Sequence, residues 1–326
     1  MFDDMLQLAL ITGVIVFIVT VACMPLIIPL LHRLKFGQTI RVDGPKSHLK
    51  KQGTPTMGGI VFITATVVVM LLTHLKVFFT PECLVITMAT LGYLVIGLID
   101  DLLIVVFKSN DGLSIKMKLL LQALVIIAII IINPSLFLND SHTTVSFVFF
   151  SLNFKYLYVV FAILMFMSYT NAINFTDGLD GLAAGVTIIA LFFIAIIAFN
   201  QRQSVELSYC GALIGGLLGF LVFNKKPAKI FMGDTGSLAL GGFYAIITLL
   251  LKIEIIGIII GFVYVLEALS VVMQILVFKK TGKRFFRMAP LHHHLEMGKY
   301  KERGSVLLLC GLGLVFGLVG MVIYFV

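Results

Sequence analysis

Two adjacent aspartates, Asp100 and Asp101, lie inside the apolar segment LGYLVIGLIDDLLIVVF, residues 91–107. Inserting one carboxylate at the centre of a membrane helix costs roughly 2.5–3.5 kcal/mol, so a pair in such a segment indicates a function. Neighbouring carboxylates repel each other, and Mg²⁺ would relieve that repulsion because it binds one or two carboxylates together with substrate phosphates. The pair therefore favours metal-assisted phosphoryl chemistry. The alternative is a solvated pair of charges at a helix end.

A second polar motif is TNAINFTDGLDGLAAG, residues 170–185. It places Asn171, Asn174, Asp177 and Asp180 three residues apart. On a helix this spacing gives one polar stripe that turns slowly around the axis. Such a stripe suits recognition of a base or a sugar, or binding of a metal, whereas a polar contact between helices is the alternative.

A third motif, GDTGS at residues 233–237, comes directly before another apolar segment. Free N–H groups at a helix start, with Thr235 or Ser237 as the cap, would form an anion site. Asp234 could be a third metal ligand beside it. Phe231 could stack on a base or could serve as an apolar anchor.

Basic residues and histidines complete the set of reactive groups. Lys51 and the lysines of residues 108–118 could bind phosphate as point charges, although a basic loop also sets membrane topology. Three consecutive histidines, His292, His293 and His294, cannot all reach one zinc ion without an unusual turn. They could instead bind phosphate, or one of them could act as an acid–base group. The sequence is compatible with two roles for Glu267, a structural one and a contact with the substrate.

The composition indicates that membrane helices position these motifs. Of the 326 residues, 60% are hydrophobic and only 12% are charged, whereas soluble domains have about 25% charged residues. A span needs about 20 apolar residues, and ten segments qualify. They are residues 6–31, 57–75, 83–107, 118–133, 155–173, 181–199, 207–223, 235–251, 255–278 and 305–326. We predict an all-α polytopic membrane protein of about ten transmembrane helices, organised as a single integral membrane domain, residues 1–326.

The distribution of basic residues predicts the orientation. All but four of the 24 Lys and Arg residues follow the odd-numbered spans. Because basic residues concentrate in cytoplasmic loops, we expect both termini outside and every polar motif at the cytoplasmic face. The expected cytoplasmic loops are residues 32–56, 108–117, 174–180, 224–234 and 279–304. Their charge would attract anionic lipid or a phosphorylated substrate, while no motif indicates nucleic-acid binding.

Together the motifs resemble a known family. They are GPKSHLKKQGTPTMGG, the Asp100–Asp101 pair, GLSIKMKLLLQ, NAINFTDGLDGLA, FNKKPAKIFMGDTGS and APLHHHLE, between residues 44 and 296. In this order they resemble the phospho-N-acetylmuramoyl-pentapeptide-transferase family of the polyprenyl-phosphate N-acetylhexosamine-1-phosphate transferase superfamily. The resemblance implies Mg²⁺-dependent transfer from UDP-MurNAc-pentapeptide to undecaprenyl phosphate in the bacterial cytoplasmic membrane, giving lipid I and UMP for peptidoglycan synthesis. It implies ten helices with external termini and leaves a homodimer open.

The resemblance also implies roles for individual residues. Asp100 matches a base that deprotonates the lipid phosphate, and Asp101 matches a residue that positions that base or the metal. Asp234 matches the Mg²⁺ ligand, and a covalent role is the alternative for this residue. His292, His293 and His294 match the catalytic histidine motif. The positions that match substrate or nucleoside contacts are Lys51, Lys108, Lys116, Asn171, Asn174, Asp177, Asp180, Asn224 and Phe231.

One position departs from the family pattern. The family usually has Lys three residues after the second aspartate, but this chain has Ile104, so a cation beside the pair is missing there and Lys108 is the candidate substitute.

Two other functions compete with transfer from UDP-MurNAc-pentapeptide. A transporter would use the aspartates as an ion path, but it predicts polar residues at mid-bilayer and inverted repeats. A sister transferase would use UDP-GlcNAc, and the TPTMGG and HHH motifs argue against it.

Overall fold

The computed structural model describes residues 2–34, 51, 53–107, 112–139 and 143–326. Within these residues, nine helices are long and apolar enough to cross a membrane. The helices are α1 (Phe2–Arg33), α2 (Gly59–Thr73), α3 (Leu75–Phe78), α4 (Pro81–Phe107), α5 (Ile115–Ile132), α6 (Ser135–Leu138), α7 (Leu157–Thr176), α8 (Leu182–Asn200), α9 (Ser204–Asn224), α10 (Gly233–Leu250), α11 (Glu254–Ile260), α12 (Phe262–Thr281), α13 (Leu291–Glu296) and α14 (Glu302–Phe325). The prediction of an all-α polytopic membrane protein is confirmed.

The tenth predicted span is α2, which has only 15 residues. Contacts at its two ends show that it nevertheless runs the length of the bundle. At its start, Gly59 N donates to Met232 O beside the first turn of α10. Just beyond its end, His74 Nε2 lies 3.0 Å from Ser208 Oγ, in the first turns of α9. The last residue of α9, Asn224, instead lies near the start of α10, because its Nδ2 donates to Ile230 O.

Two local features differ from a bundle of ten uninterrupted helices. Between α6 and α7, strands β1 (Thr144–Ser146) and β2 (Ser151–Asn153) pair antiparallel as a small hairpin, with Val145 opposite Leu152. The predicted ninth span is divided at Gly261 into α11 and α12. At this break the carbonyl of Gly257 accepts from Tyr244 Oη at 2.8 Å as well as from Gly261 N. Glycine and a side chain that competes for a helix carbonyl are common causes of a break.

Helix α10 forms the centre of the bundle. Nearly all its residues are buried, and α4, α7 and α2 pack around it. A helix that is buried on all sides can be apolar all round, and α10 is mostly apolar, with its charged and most of its polar residues at its first turns, where Asp234, Thr235 and Ser237 lie. Glycine permits the closest approach: a Cβ at Gly97 of α4 would collide with the backbone carbonyl of Asp234. The centre of the fold thus places the GDTGS motif directly against the aspartate pair.

Candidate active site

Asp101 is buried on α4, and its carboxylate faces the start of α10. Its Oδ1 accepts from Asp234 N at 3.2 Å, and its Oδ2 accepts from Thr235 N at 2.9 Å and from Thr235 Oγ1 at 2.7 Å. The first N–H groups of a helix have no intrahelical acceptor, and a carboxylate there also interacts favourably with the helix dipole. Asp101 therefore holds the first turn of α10, and Asp234 with it.

The cap of α10 differs from the one that the sequence predicts. Thr235 or Ser237 was expected to cap the helix, but the helix begins earlier, at Gly233, and no side chain at the cap position Met232 accepts a hydrogen bond. Thr235 Oγ1 instead donates to Asp101, and Ser237 Oγ donates to Gly233 O at 3.1 Å. The prediction was wrong because local sequence could not reveal that a carboxylate from another helix supplies the acceptor.

Asp100 and Asp234 are joined by a lysine. Lys118 Nζ lies 2.6 Å from Asp234 Oδ2 and 3.2 Å from Asp100 Oδ2. Asp100 Oδ1 also accepts from Leu113 N at 2.8 Å. Lys118 of α5 thus provides a cation beside the aspartate pair in this chain, which has Ile at position 104. One ammonium group between two carboxylates marks the place where positive charge is favourable.

The polar stripe of residues 171–180 is divided between a helix and a turn. Asn174 Nδ2 donates to Asp234 Oδ1 at 2.8 Å and to Ser237 Oγ at 2.9 Å. Asn171, one turn earlier on α7, donates instead to Gln122 Oε1 at 3.0 Å. The stripe does not continue along one helix to Asp180, because α7 ends at Thr176 and Asp177 caps it. Gly178 and the left-handed Gly181 follow, with φ of 79° at Gly181.

Asp177 lies in this turn, close to the acidic cluster, which consists of Asp100, Asp101 and Asp234. Burial raises its pKa well above the usual value for an aspartate, and the negative charges of Asp234, Asp101 and Asp180 raise it further. A hydrogen bond from the backbone of Gly233 acts in the opposite direction. A carboxyl with a raised pKa inside a cluster of acidic groups is a frequent feature of functional sites.

Asp180 belongs to a separate ionic network. Its Oδ1 lies 2.6 Å from Lys51 Nζ, and its Oδ2 accepts from Ala228 N at 3.0 Å. Lys51 Nζ also lies 2.5 Å from Oε1 of Glu302, the first residue of α14. Burial alone would lower the pKa of Lys51, but the two carboxylates outweigh it and the pKa is raised. Lys51 is thus paired with two carboxylates, and the network ties α14 to two connecting segments.

Asn224 and Phe231 occupy the connection before α10. Asn224 is buried, its Oδ1 accepts from Gly181 N at 3.0 Å and its Nδ2 donates to Ile230 O at 2.9 Å. Its side chain therefore fixes the positions of two turns. Phe231 is half-buried, and its backbone N donates to Pro55 O while its carbonyl accepts from Gly58 N. The TPTMGG segment is thereby aligned with the start of α10.

The three histidines lie on the short helix α13 in three different environments. His292 is buried, and its Nδ1 lies 3.1 Å from Glu267 Oε2 of α12. His293 Nδ1 lies 3.9 Å from Glu296 Oε2. His294 Nδ1 accepts from Arg287 N at 3.1 Å. A Cβ at Gly178, next to Asp177, would collide with the imidazole of His292, so this ring lies against the turn that borders the acidic cluster.

Comparisons with known proteins identify the family. The profile of glycosyl transferase family 4 matches residues 83–252, and signature 1 of phospho-N-acetylmuramoyl-pentapeptide-transferase matches residues 51–63. A protein of that name from Geobacillus sp. (strain WCH70) is 45% identical over 99% of both chains. One from Shouchella clausii is 47% identical over 94% of both chains, and one from Staphylococcus saprophyticus is 42% identical over 95% of this chain and 97% of its own.

The chain belongs to the phospho-N-acetylmuramoyl-pentapeptide-transferase family. For this member of the family, the structure brings Asp100, Asp101 and Asp234 together, as the sequence predicted, with Asn174 bonded to Asp234 and Asp177 close by. Lys116 is exposed on the first turn of α5, two residues from Lys118. Lys108 lies outside the described residues.

Several partners were not identified from the sequence. Gln122 accepts from Asn171, Thr235 donates to Asp101, Ser237 accepts from Asn174, and Glu302 pairs with Lys51. Gln122, Thr235 and Ser237 lie in motifs that the sequence singled out, whereas Glu302 does not. Their partners could not be predicted, because each acts through a contact with a distant segment. Glu267 carried a signal, since an acidic residue within a membrane span is a functional candidate by default.

The acidic cluster suits Mg²⁺ only in part. Asp234 and Asp100 present hard oxygen ligands toward the Lys118 ammonium, and such oxygens are what Mg²⁺ prefers. Asp101 uses both carboxylate oxygens as acceptors for α10, so it has less to offer a metal than the sequence suggested. Among the described residues, no group of three or more His, Cys, Asp and Glu side chains is arranged as a metal-binding cluster. The donor set that fits is therefore Asp234 with Asp100.

Proposed function

We propose that this protein, a multi-pass protein of the bacterial cytoplasmic membrane, transfers phospho-MurNAc-pentapeptide from UDP-MurNAc-pentapeptide to undecaprenyl phosphate. An oxygen of the lipid phosphate attacks the donor phosphate that carries the sugar, and the bond between the two donor phosphates breaks. The products are lipid I and UMP. The observation that carries the proposal is the convergence of Asp100, Asp234 and Lys118 at one end of the bundle in a member of this family.

The environment of the aspartates supports a division of roles. Asp100 is the candidate base for the lipid phosphate, and Lys118 stabilises its ionised form through the ion pair at 3.2 Å. Asp101 positions Asp234 by holding the start of α10. Asn174 donates to Asp234 Oδ1, which fixes the rotamer of that carboxylate. Positioning of reacting groups is a large part of phosphoryl transfer, which needs little covalent chemistry from the protein.

We further propose that Asp234 and Asp100 hold Mg²⁺ in the working enzyme. When bound, the ion supplies positive charge that neutralises the donor diphosphate. Lys118, which pairs with both carboxylates, would supply further positive charge for the phosphates. The cytoplasmic location of the site follows from the distribution of basic residues. A homodimer stays a prediction.

The experiment is an assay of the purified protein in detergent with undecaprenyl phosphate. UDP-MurNAc-pentapeptide and UDP-GlcNAc are compared as donors, with Mg²⁺ or with EDTA, and UMP and the lipid product are measured. We expect Mg²⁺-dependent UMP release with the muramoyl donor alone. Turnover of UDP-GlcNAc alone would assign the sister reaction instead, and equal turnover in EDTA would remove Mg²⁺ from the proposal.

Variants of one helix test the location of the site. Asp100→Asn, at the site end of α4, should lower UMP release by about 100-fold or more, the scale of general acid–base catalysis. Glu82→Gln, in the first turn of the same helix, is the matched control and should retain the wild-type rate. A wild-type rate in Asp100→Asn would remove Asp100 from the catalytic group.

A further inference from the structure

His292, the first of the three consecutive histidines, has a buried carboxylate as its direct ring partner. Glu267 Oε2 lies 3.1 Å from His292 Nδ1, and His292 N donates to the same oxygen at 3.3 Å. Both side chains are almost completely buried, with exposed fractions of 1% for His292 and 0% for Glu267. An ionised carboxylate can only accept hydrogen bonds, so this contact favours the tautomer with the imidazole proton on Nδ1.

This arrangement leaves the other ring nitrogen with an unused lone pair. In the neutral imidazole one nitrogen donates and the other accepts, so Nε2 is the acceptor. Within the described part of the chain, Nε2 of His292 is buried and has no hydrogen-bond partner. A buried nitrogen without a partner is destabilising, and a catalytic role is one of the reasons for which a native protein keeps such a group.

The unpartnered edge of the ring faces the turn that borders the acidic cluster. A Cβ at Gly178 would collide with Nε2, so glycine is needed for the ring to lie there. The residue before it, Asp177, interacts electrostatically with Asp234 and Asp101. His292 therefore connects α12 to the rim of the site through one ring, with Glu267 on one side and the Asp177–Gly178 turn on the other.

The other two histidines are held differently. His294 Nδ1 accepts from Arg287 N at 3.1 Å, and its ring packs against Phe286. His293 packs on the ring of His292 with centroids 4.2 Å apart, and its Nδ1 lies 3.9 Å from Glu296. The contacts of His294 anchor α13 to the loop before it, those given for His293 lie within α13, and His292 lies against the turn that borders the acidic cluster.

We propose that Glu267 is a positioning residue for the reaction and that it acts through His292. Its carboxylate fixes the tautomer with the proton on Nδ1, so that Nε2 is left as the hydrogen-bond acceptor at the Asp177–Gly178 turn, and a protonated oxygen of a phosphorylated substrate donates to it once that turn shifts away from the ring. The carboxylate–imidazole pair is a general device for orienting a histidine. The inference rests on the proposed function, and it deepens that function by assigning Glu267 and by selecting one of the three histidines.

The test compares the tautomer of His292 with the turnover of variants at position 267. The spectroscopic measurement is ¹⁵N NMR of histidine-labelled protein without substrate, in which His292→Gln identifies the His292 signals. We expect the wild-type ring to be protonated on Nδ1. Glu267→Met removes the acceptor at similar volume, so it should shift the proton toward Nε2 and lower kcat by about 100-fold, with a much smaller change in KM. Glu267→Gln keeps one acceptor and should retain both the tautomer and more of the activity.

The matched control is Gln274→Met on the same helix. Gln274 anchors the loop between α12 and α13 by accepting from Phe285 N and Phe286 N, at 3.1 and 2.9 Å. This variant loosens the loop without touching Glu267, so the His292 tautomer should stay as in the wild type. If Gln274→Met lowers kcat as much as Glu267→Met does, loop anchoring alone explains the loss and the proposal is overturned.

Each remaining outcome also decides the question. A Glu267→Met variant with a changed tautomer and wild-type kcat, or with an unchanged tautomer and low kcat, would overturn the proposal. If Glu267→Met does not fold, the wild-type spectrum decides, because a His292 ring protonated on Nε2 contradicts the positioning role. Since the spectrum needs no substrate, failure of this inference is distinguishable from failure of the proposed reaction, in which no donor would release UMP from the wild-type enzyme.

Discussion

At the scale of single residues, Asp100 and Asp101 are adjacent in sequence but contact different elements. Asp100 accepts from Leu113 N and pairs with Lys118 of α5, whereas Asp101 accepts from the first turn of α10. The sequence identified the pair because two carboxylates in an apolar segment are costly. It could not divide their roles, since the division depends on which distant segment each side chain meets.

We predict that Asp101→Asn destabilises the protein as well as the site. An amide offers one acceptor oxygen in place of two, so either Asp234 N or the Thr235 donors lose their partner. A buried donor without an acceptor costs about 1–3 kcal/mol. Thermal unfolding in detergent should therefore occur at a lower temperature than in the wild type, and UMP release should fall because Asp234 loses its position.

Asp100→Asn is the control for this prediction. Its amide oxygen can still accept from Leu113 N, and it leaves the start of α10 intact. The loss of activity should then be accompanied by a smaller change in the unfolding temperature than in Asp101→Asn. An Asp101→Asn variant as stable as the wild type would contradict the role of Asp101 in holding α10.

At the scale of helices, the sequence predicted all ten apolar segments, because a bilayer sets a minimum length of apolar chain. It did not predict the β1–β2 hairpin, whose two strands have only three residues each. It also missed the break at Gly261, where a hydroxyl from α10 competes for a carbonyl. The spans follow from composition, which is local, whereas these two features depend on tertiary contacts that local sequence does not contain.

The contact between α4 and α10 leads to a prediction for Gly97→Ala. The added Cβ would collide with the carbonyl of Asp234, and α10 cannot move away easily because other helices surround it. Overpacking of this kind typically costs about 1–3 kcal/mol. We expect a lower unfolding temperature and a large loss of UMP release, since Asp234 would shift relative to Asp100 and Asp101.

Gly311→Ala is the matched substitution on α14. A Cβ at Gly311 has no atom within 4 Å, and alanine is the better helix former. Its activity and unfolding temperature should equal those of the wild type. If Gly97→Ala also keeps the wild-type rate, the close approach of α4 and α10 is not required for the reaction.

At the scale of the whole molecule, the number of crossings determines where the two termini lie. If α2 did not cross the membrane, nine spans would place the termini on opposite sides. Two contacts instead bring the two termini to the same end of the bundle. Ala9 of α1 approaches Gly211 near the start of α9, and Tyr324 Oη donates to Asn200 Oδ1 at 3.0 Å, near the end of α8. Both regions lie at the end of the bundle opposite the acidic cluster.

This arrangement gives a topological prediction. The basic residues concentrate in the connections at the site end, so the positive-inside rule places the acidic cluster in the cytoplasm and both termini outside. In intact spheroplasts, protease should remove epitope tags from the N-terminus and from the C-terminus. A tag inserted at the exposed, left-handed Gly282, between α12 and α13, should be cleaved only after the membrane is permeabilised. If protease removes only one of the two terminal tags, the number of crossings is odd and the prediction is wrong. If both terminal tags are protected and the tag at Gly282 is cleaved, the site lies outside, where a cytoplasmic UDP-linked donor could not reach it.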